Sequence, residues 1–441
     1  MSLALTFWDE PCARALSDER YLGAMARFEA ALAHAGASAG FFAPTHAQAI
    51  AAVCAQPAFD AAALAREART AGTLAIPFVR ALTAAVEQRC PQAARFVHFG
   101  ATSQDAIDTA TALCLKEAAK RVDALAVRVG DAAAELARRH LDTPTVARTL
   151  LQPALPVPFG WKAALWLLPL TRSLGHFRRA AGEACVLQLG GAAGTLSAFR
   201  GRGQEVSAAV AAALGLTYAV PWHGARDAFA RLGSELAVLA GCAAKVARDV
   251  ALLMQPEVGE AAEPSTPGRG GSSSMPHKRN PAGCLLALEA AGRTPGLAAT
   301  LLGALGPEHE RGLGQWQSQW FTLRELTGAA GSALAAMAEV LEGLVLDVAA
   351  MRANLARSRG LVYSEAVALR LSRATADRLC VRATRDGAEL RDVMRADAEV
   401  AGSVTPQELE SLFEPAGSYG SARDLTERML ADWARARETS A

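Results

Sequence analysis

The apolar positions of this chain fall on helical stripes. From residue 227 onward, Leu232, Leu236, Leu239, Ala243, Val246, Val250 and Leu253 are spaced alternately by four and three residues. That spacing returns the side chains to one helix face and makes a seam for lengthwise packing. A second seam runs through Leu334, Met337, Leu341, Leu344 and Val348, and a looser one through Leu115, Val122, Leu125, Val129 and Leu136. Helices of ~25–35 residues, against a usual ~11–12, predict an all-α long-helix bundle. No alternating β-branched run of useful length stands between the seams, so strand content is expected to be minor.

Breakers divide the stripes. Residues 142–160 carry four prolines and interrupt two helical stretches, and residues 190–204 form a glycine-rich connection. Residues 263–283 (EPSTPGRGGSSSMPHKRNPAG) are the longest segment that regular helix or strand cannot accommodate. These breaks suggest a smaller N-terminal helical domain (1–110), a central bundle (111–350, with the loop 263–283) and a smaller C-terminal helical domain (351–441).

Composition narrows the function classes. The chain has 441 residues, 51% hydrophobic and only 6% aromatic, so its apolar content is small and aliphatic, as suits helix. A net charge of +1 provides no bulk field for nucleic acid or an anionic membrane. Eight cysteines stand at least 24 residues apart, without zinc-ribbon or disulfide-framework spacing, which fits a reduced, cytoplasmic setting. The N-terminal MSLALTFWDE is too short and too acidic for a signal peptide, and the longest uncharged run, 206–225, is broken by Pro221.

Candidate chemistry sits in the 263–283 loop. Gly270 and Gly271 precede three serines, followed by Lys278 and Asn280 between two prolines. A glycine-rich turn exposes backbone N–H groups, serines can bind an oxyanion or carry a proton, and lysine adds a compact charge. Taken alone, the loop is either an anion site or a flexible polar linker.

The order of its residues resolves that choice. GSSSMPHKRNP resembles the signature loop of the fumarase/aspartase superfamily, G-S-S-x-M-P-x-K-x-N-P. FGATSQDAIDTA (99–110) and ARTLLQPALPVPFG (147–160) are similar to that family's other two active-site stretches, in the family's order. The resemblance covers essentially the whole chain. It implies a nearly all-α homotetramer whose active sites each draw the three stretches from three subunits, working without metal or organic cofactor. It implies that Ser272 transfers the proton while Lys278 and Asn280 hold the substrate carboxylate and the enolate-like intermediate. Thr102, Ser103, Thr149 and Gln152 would complete the anion cradle.

Departures from the family pattern point to one branch. Relatives that expel a poor leaving group carry a histidine in the second stretch, where this chain has Leu150, and a supporting glutamate where it has Leu285. No histidine stands in AGTLAIPF (71–78), where adenylosuccinate lyases carry one. A reaction lacking that acid suits a leaving or attacking group that is already a stable anion, such as a carboxylate of pKa ~4. The pattern, with PWHGARDAFA (221–230) and EHERGLGQWQSQWFTLREL (308–326), resembles the lactonising branch, which cyclises 3-carboxy-cis,cis-muconate to 4-carboxymuconolactone. Such a tricarboxylate calls for further cations: Arg311 first, then Arg148 and Arg226, each of which could equally serve a structural ion pair. His277 and His309 are expected to hydrogen-bond or sit at a surface rather than act as the missing acid, and Trp316 and Trp320 to pack. The alternatives are an adenylosuccinate-lyase-type eliminase, which the missing histidines disfavour, and a non-catalytic helical scaffold, which the intact Ser272, Lys278 and Asn280 disfavour.

Overall fold

A computed structural model of the chain describes residues 10–56 and 59–438. The reading of the N-terminal leader concerns residues that lie largely outside this range. Five long helices form the centre, numbered here α1 (Ser103–Arg139), α2 (Phe159–Ala184), α3 (Asp227–Leu253), α4 (Ala282–Gly303) and α5 (Gln315–Glu342). At the start of α1, Thr102 and Asp105 form a reciprocal capping box, and Arg138 and Arg139 complement the helix dipole in its last turn. The α3 seam is buried from Leu232 to Leu253. The second seam is helical only to Glu342. Gly343 caps α5, a two-residue strand Val345–Leu346 pairs with Ala261–Ala262, and Val348 opens the next helix.

Cross-helix contacts fix the directions. Trp316 near the start of α5 meets Asp108 near the start of α1, and Arg128 further along α1 pairs with Glu342 at the end of α5. Arg226, just before α3, meets Gln319 of α5. So α1, α3 and α5 run parallel. Helix α2 runs the other way, because Trp166 donates to Asp249 and Ser173 meets Cys242. Helix α4 does too: a Cβ on Gly283 would touch Val340, while Leu301 packs at Gly233.

Residues 142–160 do more than interrupt. They form an antiparallel hairpin, β1 (Pro144–Thr149) and β2 (Gln152–Pro158), with a register shift between Val146 and Arg148. Its turn is Leu150–Leu151, with φ of 51° and 66°. A two-residue turn with positive φ at both positions ordinarily takes Asn-Gly, so two leucines there are strained.

One apolar core joins the N-terminal helices to the bundle and includes Trp433 of the last helix, Ala422–Glu438. A second, smaller core gathers Leu355, Val367, Leu379, Met394 and Phe413 around Val146 of the hairpin. Among the described residues no helix is long and apolar enough to cross a membrane.

Candidate active site

The serine loop is clamped at its base and open at its crown. Glu263 accepts the N–H groups of Gly283 (2.9 Å) and Cys284 (2.8 Å), capping α4, while Arg269 ties Glu263 to Glu339. Higher up, the Asn280 N–H donates to the Gly270 carbonyl (2.8 Å) and its side-chain amide to the Gly271 carbonyl (3.2 Å). Gly270 has φ +68°, and a Cβ there would lie 2.5 Å from the Asn280 oxygen, so only glycine closes this ring.

Within the crown, the Ser272 Oγ accepts N–H bonds from Met275 (3.1 Å) and, more weakly, Ser274 (3.4 Å). Donors aimed at a hydroxyl oxygen favour its alkoxide over its neutral form. Lys278 is exposed; its N–H donates to the Met275 carbonyl (3.1 Å), and its ammonium has no hydrogen-bond or ion-pair partner among the described residues. It lies just ahead of the 22-residue α4, whose first N–H groups are already taken by Glu263. The loop therefore holds a serine oxygen under two N–H donors and, six residues on, a lysine ammonium without a partner among the described residues.

At the hairpin tip, Thr149 and Gln152 pair across the turn and face solvent. Leu150 is 97% exposed, and Leu285, in the first turn of α4, is 56% exposed. Arg148 points inward instead, gripping buried Glu260 with two bonds (3.0 and 2.6 Å). Glu260 also accepts from Thr145 (3.3 Å) and Asn354 (2.7 Å).

Thr102 and Ser103 stand at the start of α1, at the far end of the bundle. Asp105 fastens that start to the glycine-rich connection, accepting the N–H groups of Thr102, Gly190 and Gly191 and the Gln188 amide. Burial pushes the Asp105 pKa up, and these four donors pull against it. Among the described residues Arg311 bonds neutral acceptors alone, chiefly Gln104 Oε1 (2.9 Å) and the Ala192 carbonyl (3.2 Å). Arg226 is buried between Trp222 and Phe229 and paired with Asp108 (2.5 Å). Trp316 and Trp320 pack edge to face, while His277 and His309 are exposed.

Sequence reasoning passed over His98, immediately before the first stretch. Its ring Nδ1 meets buried Glu29 at 2.6 Å, its N–H donates to the other Glu29 oxygen (3.1 Å), and its φ is +59°. The signal available was a histidine one residue from the motif; its partner is 69 residues away in sequence.

The chain does not bring all these residues together. Ser272, Lys278, Asn280 and the hairpin tip share one end of the bundle, and Thr102, Ser103 and Arg311 the other. Thr102 and Arg128, which meets the end of α5, are separated by about 40 Å of helix at roughly 1.5 Å per residue.

Residues 6–296 match a protein family described as lyase. The chain is 45% identical over 427 residues to the 3-carboxy-cis,cis-muconate cycloisomerase of Bradyrhizobium diazoefficiens, with 95% of each chain covered. It is 40% identical over 439 residues to a nitrosuccinate lyase of Streptomyces davaonensis, covering 95% of this chain and 92% of that one. The solved structure of the 3-carboxy-cis,cis-muconate lactonizing enzyme from Pseudomonas putida superposes with a TM-score of 0.93 at 41% identity, covering 98% of this chain and 99% of that one.

Proposed function

This chain belongs to the lyase family, and on that premise we propose that it acts as a 3-carboxy-cis,cis-muconate cycloisomerase with Ser272 as its proton carrier. The observation that carries the mechanism is the Ser272 oxygen, held under the Met275 and Ser274 N–H groups in the same loop as Lys278, whose ammonium has no partner among the described residues. A substrate carboxylate adds to the conjugated double bond, forming the lactone C–O bond. The displaced π electrons pass onto a neighbouring carboxylate, where Lys278 and the loop N–H groups stabilise the added charge. Ser272 delivers its proton to carbon, and water reprotonates the alkoxide left behind. No acid is needed at the attacking oxygen, and an exposed leucine stands at position 150, where relatives keep a histidine.

Among the arginines, the bonding supports Arg311 for a further substrate carboxylate. Its partners are neutral, so its charge remains available, whereas Arg148 and Arg226 already face carboxylates. Asn280 contributes by closing the loop, with one amide hydrogen left for substrate. Because Thr102 and Ser103 lie about 40 Å from the serine loop's end of the bundle, a complete site requires stretches from different copies. Exposed apolar side chains along the bundle (Leu168, Val238, Leu302, Phe321) offer surface for such contacts. We read the assembly as a cytoplasmic homotetramer that uses no metal or organic cofactor.

The test is direct. Added 3-carboxy-cis,cis-muconate should lose its diene ultraviolet absorbance, chelator should leave the rate unchanged, and Ser272→Ala should slow turnover by at least ~100-fold without altering the melting temperature. Absence of bleaching, with turnover of nitrosuccinate instead, would move the assignment to the other relative's chemistry. Near-normal turnover by Ser272→Ala would remove the serine from its role.

A further inference from the structure

Between the inner face of the hairpin and helices α2 and α3 lies a cavity of about 420 Å³. Leu151 and Val157 of the hairpin, Trp161 and Leu165 of α2, and Leu252 of α3 supply apolar walls. Four charged groups line it: Arg148, Lys162, Lys245 and Asp249. Three of them are matched within the chain. Arg148 is held by Glu260, and Lys245 pairs with Asp249, which also accepts the Trp166 indole N–H (2.7 Å). Lys162, in the first turn of α2, is partly buried, and its ammonium makes no hydrogen bond or ion pair among the described residues.

That combination defines a ligand. Burial holds the Lys162 ammonium below the usual lysine range, with Asp249 and Glu260 opposing the shift and Arg148 and Lys245 adding to it. A cation partly withdrawn from water, without a direct ion-pair partner and open to a cavity, is stabilised by an entering anion. The walls are apolar and include an indole, which suits a flat, unsaturated body better than a hydrated inorganic ion. We infer that this cavity is a binding site for an aromatic carboxylate, its carboxylate on Lys162 and its ring against Trp161. Leu151 forms half of the strained turn, so an occupant would brace the hairpin from below.

The experiment is a titration of the full chain with benzoate, benzamide and inorganic phosphate, following tryptophan fluorescence and melting temperature. Benzoate should quench fluorescence saturably and raise the melting temperature. Trp161→Phe should remove most of the quench. Benzamide has the same shape without the charge and should bind at least about tenfold more weakly, as should phosphate. Lys162→Met should weaken benzoate by about ten- to a hundredfold, the loss of one charge-assisted hydrogen bond, and Lys162→Arg should retain it. Equal affinity for benzoate and benzamide, unchanged benzoate binding in Lys162→Met, or no benzoate binding at millimolar concentration would each overturn the site. Should Lys162→Met fail to fold, the comparison of benzoate with benzamide on the native chain still decides. None of these readouts uses turnover, so the result is independent of the proposed reaction.

Discussion

His98 illustrates how a residue's backbone and charge can be set together. Its left-handed φ of +59° directs both its N–H and its ring Nδ1 onto Glu29, whose side chain is fully buried. Burial alone would lower the histidine pKa, but Glu29 in contact raises it above its ordinary 6.5. A group whose pKa rises on folding contributes its stability in full below the unfolded value, and that contribution is lost as pH climbs through the folded value. Asparagine tolerates the same backbone angle, so His98→Asn isolates the ring. Thermal melts of the native chain and this variant should differ most below about pH 6.5 and converge on the alkaline side. A gap that stayed constant with pH would mean the imidazole is neutral in the fold. The pair sits just ahead of Thr102 and Ser103, so its loss should also loosen the start of α1.

At the scale of elements, close packing and buried charge can be separated by substitution. A Cβ on Gly130 of α1 would fall 2.1 Å from the Trp433 ring, whereas one on Gly175 of α2 would meet nothing within 4 Å. Gly130→Ala should cost about 1–3 kcal/mol by overpacking. Gly175→Ala, at an open site on a helix interior, should gain about 0.5–1 kcal/mol. Urea denaturation midpoints moving in the same direction would contradict the packing. The hairpin rests on a different force. Arg148→Met strands the buried Glu260 carboxylate and should cost about 3–5 kcal/mol, yet the double variant Arg148→Met with Glu260→Leu should cost less than the two single changes added together. Additive losses would show that the two side chains act separately. These elements also differ in how far the sequence announced them. Helix α3 and the half of α1 beyond Leu115 show stripes because each buries one face there, whereas α1 is buried all round from Gln104 to Leu115; the serine loop was legible because its parts lie within eleven residues, from Gly270 to Asn280. Helices α2 and α4 carry Pro169 and Pro295 internally, which masks a helical pattern. The hairpin hid behind Pro153, Pro156 and Pro158 and behind a Leu-Leu turn that contradicts ordinary turn chemistry. Pairings such as His98 with Glu29, and the setting of Lys162, arise only from packing between distant segments, which no local motif records.

At the scale of the whole molecule, the parallel run of α1 and α5 has a consequence that mixing can test. It puts the serine loop and the Thr102–Ser103 stretch at opposite ends of one chain, so neither can serve the other within that chain. Consider one variant carrying Ser272→Ala and a second carrying Thr102→Val with Ser103→Ala. Each alone should be inactive in every site of its own oligomer. Unfolded together, mixed equally and refolded, the two should assemble at random, and a site drawing its loop from one copy and its cradle from another then has half a chance of receiving each intact. About a quarter of native turnover should return, since closed homo-oligomers place copies in equivalent positions. If each chain instead built its own site, no arrangement of the mixture could join an intact serine to an intact cradle, and activity would stay at the level of the separate variants. The recovered fraction thus measures directly whether the two ends of this bundle meet through neighbouring copies.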